Sequence, residues 1–236
     1  MGNQREAERR EALRREALRV HARYASEVVE ALDFCPFSAP ARAAGRVQTR
    51  VLFGREPSLD ETLHEMDSLE HDESAEIGLL VYPELQLTRV EFQHFAARVR
   101  AGDEARHGRG EAAFAVADFH PDADPDMEAP EKLVAFIRRS PDPLLQLLRR
   151  SALANVRGPD QGTRFVDPAQ LLDPQFTPAA TEPLHERIAR ANHRTVQRLG
   201  LARVSAVVQD ILDDRDRSYA RLGLDPPHFR TQKSGE

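Results

Sequence analysis

The chain has 236 residues, of which 40% are hydrophobic and 31% are charged, and its formal net charge is −6. This composition supplies enough apolar side chains for the core of one large domain. The negative net charge provides no overall basic field that would attract nucleic acid. No stretch approaches the ~20 consecutive apolar residues that a membrane span requires.

Cysteine usage and the N-terminal composition indicate the compartment. Cys35 is the only cysteine, which excludes an internal disulfide and favours a reducing environment. The segment from Met1 to Arg19 is dense in arginine and glutamate and lacks the apolar stretch of a secretory signal. We therefore predict a cytoplasmic protein that contacts neither nucleic acid nor a membrane.

A long helix is predicted at the N-terminus. Residues 3–32 contain neither glycine nor proline, and apolar side chains recur every three or four residues from Leu13 to Ala31. Before Leu13 nearly every side chain is charged, so this part can bury little surface. We predict a charged helical extension over residues 1–12 that frays, a single domain over 13–200, and a C-terminal helix and polar tail over 201–236.

Strand-like and helical segments alternate in the first half of the chain. Val47 to Phe53, Ile77 to Tyr82 and Ala112 to Phe119 have strand patterns, and capping residues at Ser58 and Thr88 begin helices between them. Repeated βα units favour a parallel sheet. The expected fold class is α/β, with a small, mostly parallel sheet, helices packed on it, and helical additions at both ends.

The second half is expected to be mainly helical. A helix is predicted to begin at Arg139–Pro143 and to include the leucines that follow, whereas Leu133 to Ile137 is compatible with a strand or a helix. Residues 157–182 are rich in Pro, Gly, Asp and Gln and are expected to form a long covering loop. A further helix is predicted from Pro183 to Gly200.

Three junctions between predicted elements carry residue types that commonly act in catalysis or ligand binding. Cys35 ends the long helical segment at Pro36, His120 follows the third strand, and Arg139 and Ser140 precede the predicted helix. Ligands of open α/β sheets bind beyond the carboxyl ends of strands. We therefore predict that the three junctions converge on one pocket.

These motifs also occur in a characteristic order. They are Leu32-x-x-Cys35-Pro36-Phe37, Phe119-His120-Pro121, Arg139-Ser140-Pro141-x-Pro143 before Leu147-Leu148-Arg149, and Asn192-x-x-Thr195 before Leu199-Gly200. In this order and spacing, the chain resembles the bacterial domain-of-unknown-function 1415 family over roughly residues 24–200. The resemblance implies a cytoplasmic α/β domain with these motif positions, and it implies no activity.

The chain departs from the family pattern at several positions. The family usually has an aromatic residue where Asp142 stands, an asparagine-rich approach where Phe136-Ile137-Arg138 stands, and arginine where Ala191 stands. The acidic stretch from Asp122 to Glu128 also differs from the usual aromatic-containing one. If these positions contact the substrate, this chain binds a different molecule or has lost the original activity.

The motif residues support a first hypothesis, an enzyme of unassigned reaction that acts on a small anionic molecule, either a carboxylate or a phosphate. His120 would act as an acid or base and Cys35 as a nucleophile. Arginine forks and a helix start would hold the anion. The predicted substrate-binding residues are Arg139, Ser140, Arg149 and Asn192.

Other interpretations of the same residues stay open. Cys35 can be a small buried side chain, His120 can cap its loop, and Arg139 can pair with an acid nearby. A second hypothesis is a haem or metal protein that uses Cys35 or His120, with Asp122 and Asp124 as further divalent-metal ligands. A third is a non-catalytic binding or scaffold protein whose charged N-terminal helix meets a partner. Neither the cofactor nor the oligomeric state follows from the sequence.

Overall fold

The computed structural model describes residues 2–108, 111–156 and 183–224. The covering loop predicted over residues 157–182 lies outside the described residues, as does the end of the predicted polar tail. Within the described ranges, none of the helices is both long and apolar enough for a membrane crossing.

The predicted N-terminal helix is present as α1 (Gly2–Tyr24), which continues as a π-helical segment (Ala25–Glu30). The predicted apolar side is buried, since Leu13, Val20 and Val28 are almost inaccessible to solvent. The chain leaves the helix through Asp33, whose φ of 55° is the left-handed conformation. A short helix, α2 (Ser38–Ala43), follows the Cys35 junction.

The charged start of α1 contacts the domain through ionic and aromatic partners. Arg9 Nη2 lies 2.8 Å from Glu84 Oε1, and the guanidinium groups of Arg10 and Arg14 lie over the ring of Phe53. The fraying of residues 1–12 and the predicted domain limits stay predictions.

The sheet has four strands in the order β1-β2-β4-β3. They are β1 (Val47–Val51), β2 (Ile77–Val81), β3 (Phe114–Phe119) and β4 (Leu144–Arg149). Strand β1 is parallel to β2, whereas β4 is antiparallel to both β2 and β3. The α/β class is confirmed, and the prediction of a mostly parallel sheet is wrong, because β4 lies between β2 and β3 in the opposite direction.

Strand β4 also corrects the predicted helix after Pro143. Leu144 to Arg149 pair with both neighbouring strands, and the helix begins only afterwards, as α6 (Arg150–Val156). The ambiguous segment before it is helical, as α5 (Pro130–Ile137).

Two helices cover one face of the sheet. They are α3 (Leu59–His71) and α4 (Arg89–His107), and both begin at the predicted caps, Ser58 and Thr88. Close packing explains the glycine within β2, because a Cβ at Gly78 would lie 2.8 Å from Leu69 Cδ1.

The remaining helices lie toward the other face. They include α1, α5, α7 (Leu184–Leu199) and α8 (Leu201–Ala220). Helix α8 packs along α1, and α5 packs against α7. The helices predicted after Pro183 and Gly200 are therefore confirmed, and they help to enclose the cavity described below.

Candidate functional site

A cavity of about 930 Å³ lies on the sheet face opposite α3 and α4. Its floor includes Leu79, Ala115, Ala117, Leu144, Gln146 and Leu148. Its roof comes from α1, the loop that carries Cys35, the end of α5 and the start of α7. The short side chains of the two alanines on β3 leave space that larger residues would fill, so the sequence of this strand helps to create the cavity.

Gln146 is the polar residue of the cavity floor. It lies in the middle of β4, where its register partners are Leu79 on one side and Ala117 on the other. Its side chain is half-buried and makes no hydrogen bond to the residues that the structure describes. An amide in this position offers a donor and an acceptor to a molecule in the cavity.

Arg138 brings a positive charge to the cavity wall. It follows the last turn of α5, and its guanidinium lies 5.7 Å from the centre of the Phe119 ring. Burial lowers the pKa of Arg138 and outweighs the opposite effect of the Asp118 carboxylate. That carboxylate accepts a 2.7 Å hydrogen bond from Arg100 instead. Among residues 2–108, 111–156 and 183–224, Arg138 has neither a side-chain hydrogen bond nor an ion pair.

His21 contributes an imidazole ring to the same cavity. It lies on α1, and only 5% of its surface is accessible. Its Nε2 lies 3.3 Å from Asp142 Oδ2, but the two groups lack the alignment of a hydrogen bond. The ring is therefore positioned by packing and by the charge of the carboxylate behind it.

Asp142 is fully buried and belongs to a network with α8. Its Oδ1 accepts a 2.9 Å hydrogen bond from Arg215 Nε, and its Oδ2 accepts one of 2.7 Å from the Tyr219 hydroxyl. Burial alone would raise the pKa of Asp142, but the Arg215 guanidinium, together with His21 and the Tyr219 hydroxyl, outweighs it and the pKa falls to about 2. Asp142 is therefore ionised at neutral pH, with Arg215 balancing its charge.

Cys35 lies at the other end of the cavity. Its neighbours include Phe37, Ala41 and Ile77, and Ile77 is the first residue of β2. Burial raises the pKa of the Cys35 thiol, although the backbone N–H groups of Phe37 and Ser38 act in the opposite direction. The thiol is therefore protonated at neutral pH, which leaves it a weak nucleophile.

Asn192 joins α7 to the loop that carries Cys35. Its Nδ2 donates a 3.1 Å hydrogen bond to the backbone oxygen of Phe34. Asn192 also lines the cavity, so it is one of the two predicted site residues found there, together with Cys35.

The structure places His120 outside the cavity. The residue is only 3% accessible, and its ring packs against Phe92 of α4, with the ring centres 6.0 Å apart. The backbone N–H of Asp122 donates to Nδ1 at 3.1 Å, and Nε2 lies 3.0 Å from the backbone oxygen of Leu87. Both ring nitrogens are thus engaged by the neutral tautomer that carries its proton on Nε2. These contacts fix the ring in place, and a catalytic role for His120 stays a prediction.

Arg139 and Ser140 organise the loop before β4. Arg139 Nε donates to the backbone oxygen of Pro121 at 2.9 Å, and the Ser140 hydroxyl donates to the backbone oxygen of Asp142 at 2.5 Å. Neither residue lines the cavity. The predicted pairing of Arg139 with a substrate anion stays a prediction, and its neighbour Arg138 lines the cavity.

Arg149 binds the end of α3. Its Nε donates to the backbone oxygen of Ala75 at 2.8 Å, and its Nη2 donates to those of Leu69 and Asp72 at 3.0 Å. Such contacts satisfy carbonyl groups that a helix leaves unpaired at its C-terminus. Of the six predicted site residues, only Cys35 and Asn192 line the cavity, and the roles predicted for all six stay predictions.

A metal site is not apparent in the described part of the chain, where no cluster of three or more His, Cys, Asp and Glu side chains is suited to hold an ion. Asp122 contributes its backbone to His120, whose ring nitrogens are occupied. The predicted site of His120, Asp122 and Asp124 therefore gains no support from the geometry. Haem ligation through Cys35 stays a prediction.

Comparisons with known proteins assign the chain to a family but not to a reaction. The family described as "Protein of unknown function (DUF1415)" matches residues 17–161, which is more than half of the chain. The match confirms the resemblance carried by the Cys35, His120 and Arg139 motifs, and it ends before Asn192. No curated protein and no solved structure shows significant similarity to the chain.

Proposed function

The chain belongs to the DUF1415 family, and we propose that it is an enzyme that binds a small organic anion with an apolar body in the cavity above the sheet. Ligand sites are typically concave and apolar, with a few polar groups that fix the orientation of the ligand. The cavity has this character, because the aliphatic floor carries Gln146 and the wall carries Arg138. Either a phosphate or a carboxylate would pair with a cavity arginine. Because Arg42, the other arginine of the lining, is already paired with Glu30 at 2.6 Å, Arg138 acts alone and favours a carboxylate.

The observation that carries this proposal is the charge of Arg138. A guanidinium that has lost much of its hydration without gaining a carboxylate partner is unfavourable unless a ligand provides one. Asp118 acts on it only through space, because that carboxylate is hydrogen-bonded to Arg100. An anion bound beside Phe119 would pair with Arg138 and place its apolar part over Ala115 and Ala117.

The other features of the proposal follow from charge and composition. The net charge of −6 opposes nucleic-acid binding, and the site is shaped for a small molecule rather than for a membrane surface. The single thiol suits the reducing cytoplasm, which is where we place the protein.

Phenylacetate is a suitable probe, because it combines a carboxylate with an apolar ring. We expect calorimetric titration to show that the wild-type protein binds phenylacetate more tightly than the uncharged phenylacetamide or the smaller acetate. Hydrogen bonds to charged groups contribute about 1.5–3 kcal/mol, so Arg138→Gln should weaken phenylacetate binding by roughly 10- to 100-fold.

The matched control is Arg98→Gln, which removes the same charge from an exposed position of α4. This variant should bind phenylacetate as the wild type does, and circular dichroism should show that both variants are folded. Equal affinities for phenylacetate and phenylacetamide, or an unchanged affinity in Arg138→Gln, would contradict the proposal.

A further inference from the structure

His21 has the features of a group that exchanges protons with a bound molecule. It lines the cavity, it is 5% accessible, and its Nε2 has no hydrogen-bond partner among the described residues. A buried imidazole nitrogen without such a partner is unusual, because buried polar groups are normally satisfied.

Asp142 selects the tautomer of this ring. Its carboxylate lies 3.3 Å from Nε2, so a proton on Nε2 is favoured by the negative charge that it faces. Arg215 and Tyr219 also hydrogen-bond to Asp142. An imidazole that carries its proton on Nε2 presents an unprotonated Nδ1 to a molecule in the cavity.

The strand register relates the positions of three polar groups that line the cavity. Leu144, two residues after Asp142, is the register partner of Phe119, over which Arg138 lies. Gln146 follows on the same face of β4, and two residues along a strand span about 7 Å. The imidazole, the anion site and the amide thus line one cavity, with the pair of Phe119 and Leu144 between the first and the last.

We propose that His21 is a catalytic base that removes a proton from the carbon next to the carbonyl of a small oxo acid. This inference rests on the proposed function, because Arg138 must hold the carboxylate. The electrons of the broken C–H bond form a C=C bond, those of the carbonyl π bond move to its oxygen, and the proton binds to His21 Nδ1. The Gln146 amide donates a hydrogen bond to the oxygen, whose negative charge increases in this step. Return of the proton to oxygen or carbon completes the reaction without a co-reactant.

Deuterium exchange of phenylpyruvate in D₂O tests the proposal. This molecule carries a carboxylate, a carbonyl group, acidic C3 hydrogens and an apolar ring. We expect the wild-type protein to accelerate exchange at C3, followed by NMR, above the rate in buffer alone. General-base catalysis typically contributes about 10²–10⁴-fold, so His21→Gln should lower the catalysed rate by at least about 100-fold while calorimetry shows that phenylpyruvate still binds.

His64→Gln is the matched control, because His64 is exposed on α3 at the opposite face of the sheet. Its exchange rate should equal that of the wild type. Exchange that persists in His21→Gln, or phenylpyruvate that binds without any accelerated exchange, would overturn the role of His21 and leave the anion-binding proposal intact. Binding of phenylacetate but not of phenylpyruvate would overturn the oxo-acid class. If neither acid binds, the proposed function itself fails.

A second measurement uses the wild-type protein alone, so it does not depend on whether a variant folds. Nitrogen-15 NMR of the histidine rings distinguishes the two neutral tautomers, and we expect His21 in the wild type to carry its proton on Nε2 at neutral pH. Phenylpyruvate should then shift the Nδ1 resonance of His21. A proton found on Nδ1 would overturn the proposal directly, because that nitrogen could not accept another.

Discussion

At neutral pH the buried ring of His120 is uncharged, because burial lowers its pKa from 6.5 to about 4. Its two hydrogen bonds place the chain that leaves β3, so its protonation state is coupled to folding. Between these two pH values the unfolded chain binds a proton and the folded protein does not. The free energy of unfolding therefore falls as the pH is lowered through this window, and His120 adds no pH dependence above or below it.

This coupling predicts a measurable difference between two proteins. The contribution of His120 should reach roughly 3 kcal/mol between pH 6.5 and pH 4. Urea unfolding of His120→Gln across this range should show a correspondingly weaker pH dependence than the wild type. The exposed His64→Gln should retain the wild-type profile, and parallel profiles for His120→Gln and the wild type would show that His120 is not buried in its neutral form.

Cys35 provides a second test at the scale of a single residue. Because burial raises the pKa of its thiol, we expect slow alkylation at neutral pH and a rate that rises only above the ordinary thiol range. His120→Ala should not change this rate, since Cys35 lies near the start of β2 and His120 lies after the end of β3. Saturating phenylacetate should slow the labelling by filling the cavity. Fast labelling at neutral pH that depends on His120 would contradict the geometry.

At the level of helices and strands, the sequence predicts the directions of some strands correctly and leaves the type of another element open. The βα alternation correctly indicates that β1, β2 and β3 run in one direction, because β4 is antiparallel to both β2 and β3. The pattern of β4 itself is ambiguous, since a short run of leucines around Gln146 suits a buried strand or a helix. Pairing with β2 and β3 resolves this ambiguity in favour of a strand. The local sequence of β4 does not show that these partner strands exist.

The local sequence is equally limited in predicting which side chains line the cavity. A prediction based on junctions cannot tell which of two adjacent arginines faces the cavity, because that depends on where α5 ends. Arg138 follows the last turn of the helix, whereas Arg139 turns toward Pro121. His21 was detectable in principle, since it is next to Val20 on the buried side of a charged helix. Gln146 faces the cavity because Leu144–Arg149 is a strand, and the local sequence does not decide between a strand and a helix there.

The ionic attachments of helix α8 should contribute unequally to the free energy of unfolding. It is attached to the sheet by the buried pair of Arg215 and Asp142 and to α1 by the more exposed Asp214, which lies 2.8 Å from Arg19. Removal of one partner of a buried pair leaves an uncompensated charge, so Asp142→Ala should lower the free energy of unfolding by about 3–5 kcal/mol. Asp214→Asn on the same helix should cost only about 1 kcal/mol or less.

Urea denaturation measures both effects, and the double variant Asp142→Ala with Arg215→Met provides the internal check. It should be more stable than Asp142→Ala alone, because no buried guanidinium is left without a partner. Equal costs for Asp142→Ala and Asp214→Asn would show that the buried network contributes no more than a surface ion pair.

For the whole molecule, the cavity predicts a conflict between stability and binding. Tight packing covers the α3 and α4 face, whereas on the other face the floor at Ala117 meets open space. A leucine at Ala117 would bury apolar surface there without displacing its neighbours, and it should raise the free energy of unfolding by about 1–2 kcal/mol. The same change would occupy the space of the ligand, so phenylacetate binding should weaken at least tenfold. Stability gained at the cost of binding is expected where a fold preserves a cavity for function.

The control makes the same substitution where no cavity exists. Ala96 is inaccessible within α4, and Ala96→Leu should lower the free energy of unfolding by about 1–3 kcal/mol because the added side chain must displace its neighbours. Urea denaturation and calorimetric titration of the two variants decide the question. If Ala117→Leu destabilises the protein as much as Ala96→Leu does, the floor is packed rather than open, and the binding site above β3 and β4 does not exist.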